Sequence, residues 1–233
     1  MCARFSLVTP VAELASYFEA GVDPEIDIPP RANVAPTLDV PAVIEDEKGR
    51  RIKVLKWGLV PYWSQDSSTG TKLINARAES ALEKPAFREP FRKRRCIIPA
   101  TGFYEWRDES DELTLDFGLD PSPNSKTKKQ PYFFHQRDGH PMALAGLWDR
   151  WKDASGHRIE TFTILTTDPN EVVKDFHDRM PCILAREDVN FWLDEKENPE
   201  SLLPLLRSFP EAEIAVEKAD PRLNNVRFEP CSL

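Results

Sequence analysis

The sequence predicts an α+β fold: one domain, built on a mostly antiparallel or mixed β-sheet with flanking helices. Three observations predict it. More of the chain falls in extended stretches rich in β-branched and aromatic residues than in helical ones. Helical patterns do not alternate with those stretches, which argues against a parallel sheet of βαβ units. No internal repeat and no linker breaks the chain, so residues 2–233 are expected to form a single domain able to bury a substantial core. Hydrophobic residues make up 40% and charged ones 30%, a folded rather than a disordered composition.

In chain order, Arg4 to Val8 reads as a short strand. Thr9-Pro10 supplies an N-cap and a proline at the first helical position, and Gly21 is expected to stop that helix near Ala20. Pro24 to Pro36 is proline-rich and extended. Val40–Ile44 and Arg51–Trp57 read as two strands joined by the polar turn Glu45–Arg50. Ile97–Arg107, Tyr132–Gln136, Met142–Trp151 and Arg158–Thr166 continue the strand pattern, with Arg137-Asp138-Gly139 as a hairpin turn. Asp168-Pro169-Asn170-Glu171 opens a second helix reaching about Phe176, with a capping-box-like start. Arg186–Leu193 reads as a third helix, Ser201–Phe209 as a fourth around Pro204, and Glu213–Glu217 as a late strand. Asp108–Gln130, charged and carrying Pro121-Ser122-Pro123, reads as a mobile insertion.

Composition excludes several function classes. No run of about 18 apolar residues is present, so no membrane span is expected. The first twenty residues lack a basic and then an apolar region, so no secretory signal is expected. The four cysteines form no CxxC pair and have no metal-like spacing to histidine, so no metal and no cofactor is implied. A reducing, intracellular setting is the simplest inference. The formal charge of −8 argues against a general polyanion binder. Its distribution is uneven, however. Lys84, Arg88, Arg92, Lys93, Arg94 and Arg95 form a basic stretch, and Asp108 to Asp120 an acidic one. The basic stretch fits either a short, defined phosphate contact or a solvated face.

The groups that could carry chemistry are scattered. A cysteine in second place becomes amino-terminal if Met1 is removed, and then offers an amine and a thiol two carbons apart. An aldehyde attacked by that amine gives an imine, which the thiol can close into a five-membered thiazolidine at high effective molarity. In Ile74-Asn75-Ala76-Arg77-Ala78-Glu79, an extended backbone would put Asn75, Arg77 and Glu79 on one face. That face suits an oxygen-rich ligand, with arginine the natural phosphate partner. Glu105, in the aromatic stretch Phe103-Tyr104-Glu105-Trp106, is a carboxylate for proton transfer or an outward strand residue. His177 is an acid, a hydrogen-bond donor or a structural histidine. Trp57 to Trp63 adds aromatics that could stack on unpaired bases or pack as a lid.

Taken together, these motifs resemble the SOS-response-associated peptidase (SRAP) family. The matching pieces are Met1-Cys2 with Arg4-Phe5 one residue on, Asn33-Val34-Ala35-Pro36, Trp57-Gly58-Leu59-Val60-Pro61, Asn75-Ala76-Arg77-Ala78-Glu79, Gly102-Phe103-Tyr104-Glu105-Trp106 and His177-Asp178-Arg179-Met180-Pro181. They occur in the family's order, and Asn224-Asn225-Val226-Arg227 resembles its C-terminal segment. The resemblance implies a shield for abasic sites in single-stranded DNA, joined to the open-chain aldehyde through a thiazolidine at Cys2. It implies that Asn75 holds the sugar and orients the amine, that Glu105 shuttles protons, and that His177 assists ring opening. Arg4 and Arg77 would grip flanking phosphates, with Asn33 and Trp63 along the strand. The family's peptidase name reflects self-removal of Met1. Two features depart from the family: Ala3 stands where glycine is usual, and the 108–130 stretch is longer and more acidic than a plain connection.

Two other readings compete at this stage. One is an N-terminal-nucleophile amidohydrolase, in which the Cys2 thiolate attacks an amide. The other is a non-catalytic, reversible binder of single-stranded nucleic acid using Arg77 and the aromatics. A monomer is expected, cytoplasmic and nucleoid-associated in a bacterium, or nuclear in a eukaryote.

Overall fold

In the computed structural model, the described residues are 2–23, 25–108 and 129–230. Almost all of the expected 108–130 insertion, and Met1 itself, lie outside them. The early strands are β1 (Phe5–Leu7), β2 (Gly21–Val22), β3 (Arg31–Val34), β4 (Asp39–Asp46), β5 (Gly49–Trp57), β6 (Asn75–Arg77), β7 (Arg95–Ala100) and β8 (Gly102–Arg107). The later ones are β9 (Gln130–Gln136), β10 (Met142–Lys152), β11 (Arg158–Thr167), β12 (Met180–Pro181), β13 (Ile183–Leu184) and β14 (Ile214–Lys218). Among the described residues, four short helices flank them: α1 (Val11–Tyr17), α2 (Arg88–Lys93), α3 (Val189–Leu193) and α4 (Pro199–Leu202).

The strands make two sheets. In the larger, the neighbours run β11-β10-β7-β4-β5, and β5 then pairs in parallel with β11 through Lys56↔Thr161 and Trp57↔Phe162. That last pairing closes the sheet into a small barrel, which leaves no edge along those strands. β6 continues beyond β5 along the same side of β11, with Asn75 opposite Ile164 and Arg77 opposite Thr166. The smaller sheet is antiparallel in the order β3-β1-β8-β9-β14.

One residue, Thr101, separates β7 in the barrel from β8 in the second sheet. The stretch Ile97–Arg107, read from sequence as a single run of strand, therefore crosses from one sheet to the other. Thr101 holds the corner: its N–H donates to the Ser6 carbonyl at 2.7 Å, and its Oγ1 accepts from Val8 N at 3.0 Å. Gly102 follows because nothing larger fits, a Cβ there falling 2.4 Å from the Phe134 carbonyl oxygen. The two sheets share one core, in which Phe5 of the small sheet packs on Trp57 of the barrel with ring centroids 5.1 Å apart.

Several local expectations are corrected. Pro10, not Thr9, occupies the cap of α1, and the Thr9 hydroxyl instead lies 3.5 Å from that of Thr101. The helix ends at Tyr17 because Glu19 takes the left-handed conformation (φ 53°), and Gly21 begins a strand. Gly139 does turn the chain at positive φ (75°), yet β9 and β10 belong to different sheets, so no hairpin forms. Between Asp168 and Phe176 there are hydrogen-bonded turns but no regular helix. Asn170 starts them, its Oδ1 accepting from Val173 N, but its Nδ2 is tied to the Phe209 carbonyl and the chain must re-enter the sheet at Met180.

Candidate active site

Cys2, Asn75 and Glu105 meet at the seam between the two sheets. β1 lies antiparallel to β8, with Phe5 opposite Phe103 and Tyr104 N donating to the Arg4 carbonyl at 3.0 Å. The residues preceding Phe5 consequently run beside Glu105. From the barrel side, β6 presents Asn75, whose Nδ2 donates to the Cys2 carbonyl at 2.8 Å. That bond fixes the backbone of the second residue across the seam.

The electrostatics follow from burial. Cys2 is fully buried, with its Sγ 3.9 Å from the Arg4 carbonyl. Burial, reinforced by the negative charge of Glu105, pushes its thiol up to about 12, so the thiol stays protonated at neutral pH. Glu105 is 6% exposed, and burial raises it to about 7 against the opposing pull of the amino-terminal charge. Its Oε1 and the Oδ1 of Asn75 are buried with no protein partner. Such acceptors are costly unless something donates to them.

His177 follows the turns after Asn170, its N–H donating to the Val173 carbonyl at 3.0 Å. Its Nδ1 lies 3.0 Å from Arg179 N and 2.7 Å from Asp178 Oδ1. These contacts compete, since the amide needs a lone pair on Nδ1 and the carboxylate needs a proton there. Burial, with the amino-terminal charge second, lowers the pKa of His177. We assign the neutral ring with its proton on Nε2, because the Asp178 side chain is 78% exposed and water can serve it. The amino-terminal charge thus acts on Cys2, Glu105 and His177 together.

Arg4 is half-buried. Its Nη1 donates to Asn33 Oδ1 at 2.7 Å and to the Leu223 carbonyl at 3.0 Å, and the guanidinium lies over Trp106, 5.5 Å from the ring centre. Asn33 does not face solvent. It is fully buried and donates through Nδ2 to the carbonyls of Asn225 (3.1 Å) and Phe228 (2.6 Å). The geometry makes it a support for Arg4. Arg77 is exposed two residues along β6 from Asn75, on the same face of the strand. Trp63 is 53% exposed.

Glu79 does not join Asn75 and Arg77. The strand ends at Arg77, and a 3-10 turn over Ala78–Ser80 sends Glu79 to Arg179 Nη2 at 2.8 Å. Sequence reasoning missed Arg179, which is buried and also binds Asp168 Oδ1 (2.7 Å) and the Thr166 carbonyl (2.6 Å). The available signal was its place two residues after His177. No group of three or more metal-ligating side chains converges among the described residues.

The chain matches a known family model, that of the SOS response associated peptidase (SRAP), over residues 1–226. The chain belongs to the SRAP family. Its relatives include the abasic site processing protein YoaM of Bacillus subtilis, 41% identical over 210 residues that span 88% of this chain and 85% of that protein. The abasic site processing protein HMCES of Rattus norvegicus is 30% identical over 201 residues, 78% of this chain and 56% of that longer protein. Among solved structures, a protein from Bacteroides thetaiotaomicron matches with a TM-score of 0.80 and 28% identity, covering 95% of this chain and 93% of that one. No helix among the described residues is long and apolar enough to cross a membrane.

Proposed function

We propose that this protein captures abasic sites in single-stranded DNA, forming a thiazolidine crosslink through Cys2 once Met1 has been hydrolysed away. The observation that carries the reading is Cys2 held at the seam by Asn75, beside a carboxyl raised to about 7. Relatives named for abasic site processing support it.

The chemistry closes without an outside reagent. The free α-amine of Cys2 adds to the sugar aldehyde, which gives a carbinolamine. Glu105, protonated in part at neutral pH, donates its proton to the departing hydroxyl, and water leaves with formation of the imine. The imine is at this point protonated, so the Cys2 sulfur bonds to its carbon, the nitrogen keeps the proton it carries, and the thiol proton passes to the Glu105 carboxylate. Aldehyde and aminothiol become thiazolidine and water, and Glu105 ends as it began. A thiol held protonated suits this order of events, because the amine attacks first and the thiolate is not needed until the imine exists. His177 serves the opening of the sugar ring as a proton donor. Arg4 and Arg77 bind flanking phosphates, Asn33 holds Arg4, and Trp63 stacks on a base. The protein acts as a monomer wherever the DNA lies, on the nucleoid or in the nucleus.

Intact mass after incubation with an abasic single strand tests the proposal. The expected species has lost Met1 and gained the oligonucleotide less one water. Cys2→Ala is expected to give no heat-stable adduct, and Cys2→Ser only an imine that needs reduction to be trapped. Full crosslinking by Cys2→Ala would sink the mechanism.

A further inference from the structure

The basic stretch from Lys84 to Arg95 is sorted by the fold into cations already engaged and cations presented to solvent. Arg95 is buried, with Nε on the Trp192 carbonyl (2.6 Å) and Nη1 on those of Phe91 (2.8 Å) and Arg92 (2.9 Å). Lys93 pairs with Glu89 at 3.2 Å, and Arg94 Nε with Asp149 Oδ1 at 3.2 Å. Lys84, Arg88 and Arg92 remain, all exposed, and none forms an ion pair with a carboxylate of the described residues. They are four residues apart. α2 begins at Arg88 and puts Arg92 one turn further along the same face, about 6 Å away. The turn before it, in which the Lys84 carbonyl accepts from Arg88 N at 2.9 Å, brings Lys84 to the start of that row. Of the carboxylates in this segment, Glu79 is held by Arg179 and Glu89 by Lys93, and Glu83 is the exposed one beside Lys84.

Both ends of the row are anchored to other parts of the surface. At one end, turns from Ala78 to Lys84, among them Lys84 N to the Ser80 carbonyl at 3.0 Å, join it to Arg77. At the other, Asp149, itself 2% exposed, ties Arg94 to the aromatic loop by accepting from Tyr62 N at 3.0 Å. The barrel fixes that loop further through Val60 N on Thr161 Oγ1 (2.8 Å) and Trp151 Nε1 on the Ser64 carbonyl (2.8 Å). Tyr62 and Trp63, at 59% and 53%, are its exposed aromatic rings. Arg77 stands opposite Thr166 on β11, and Asp149 opposite Thr161. Five residues of strand put the two ends about 17 Å apart measured along β11, on its two sides.

We propose that Lys84, Arg88 and Arg92 form a second contact surface for the single strand, leading from Arg77 to a preset stacking platform at Tyr62 and Trp63. The inference rests on the DNA reading above and extends its footprint by several nucleotides. Cations at roughly regular intervals, ending in exposed rings on a braced loop, fit an extended strand whose phosphates and bases present themselves in turn. On a chain of net charge −8 such a row is a local attraction that needs a defined path.

The test compares the parent with the triple variant Lys84→Gln, Arg88→Gln, Arg92→Gln. Binding of undamaged oligothymidylates of 4 and 12 nucleotides is followed by fluorescence anisotropy over a range of salt. Each lost phosphate contact lowers the slope of log K against log salt by about 0.7, so the triple variant is expected to lose about 2. The preference for the longer strand is expected to shrink tenfold or more. The charge-retaining set Lys84→Arg, Arg88→Lys, Arg92→Lys is expected to keep the parent's slope. If the triple variant does not fold by circular dichroism, Arg92→Gln alone is read, with an expected loss of about 0.7. An unchanged slope in a folded glutamine variant overturns the ridge. Crosslinking of the parent to an abasic trinucleotide is run in parallel, and its absence would overturn the DNA reading instead.

Discussion

Glu105 offers the sharpest quantitative test, because one buried carboxyl sets both a stability and a rate. Burial raises it from an ordinary 4.5 to about 7. At about 1.4 kcal/mol per tenfold, ionising it inside the fold costs about 3 kcal/mol. Its folded pKa lies above its unfolded one, so the folded chain holds the extra proton between pH 4.5 and about 7. The penalty is absent below that window, grows through it, and is complete above it. Glu105→Gln keeps the shape and removes the charge. It is therefore expected to be more stable than the parent above pH 7 by up to about 3 kcal/mol, and no more stable at pH 4. Loss of Met1 brings the ammonium onto Cys2 itself and trims the penalty, so the figure is an upper bound. Urea denaturation at pH 4, 6 and 8 measures the difference. The same variant cannot give or take a proton, and abasic-site capture is expected to slow by about a hundredfold or more. A constant stability difference across that pH range would refute the assignment of a raised carboxyl, whatever the effect on rate.

Other outcomes follow from the same geometry. Asn75→Ala removes the 2.8 Å bond to the Cys2 carbonyl, worth about 1 kcal/mol, and is expected to slow capture roughly tenfold with the melting temperature little changed. Trp63→Ala removes an exposed ring, so strand affinity is expected to fall by about 1–3 kcal/mol in an anisotropy titration while stability holds. Gly102→Ala drives a Cβ to 2.4 Å from the Phe134 carbonyl at the corner between the sheets, and calorimetry is expected to show a loss of about 1–3 kcal/mol or more.

Runs of β-branched and aromatic residues made most strands legible, and β4, β5, β10 and β11 lie within a few residues of where the pattern puts them. The pattern is local, and so is its information. It does not say which strand is whose neighbour, which is why Ile97–Arg107 looked like one strand and Arg137-Asp138-Gly139 like a hairpin. Helix ends went wrong for a related reason: Asn170 and Glu19 are held by contacts and backbone angles that only the packed chain imposes.

The chemical identities at the site were decided in the sequence. A cysteine in second place, an amide at 75, a carboxyl at 105 and an imidazole at 177 define what reactions are open, and no fold can supply them. Tertiary structure decided what state those groups are in and which of them act together. Closure of the barrel and the turn at Thr101 bring Asn75 to the Cys2 carbonyl, and burial in that seam shifts Glu105 to about 7 and keeps the thiol protonated. The same packing took Glu79 away to Arg179, enclosed Asn33 behind Arg4, and left three of six cations exposed with no ion pair to a carboxylate of the described residues. Proton affinity and accessibility depend on desolvation and on neighbours distant in sequence, and both come into being only when the chain folds.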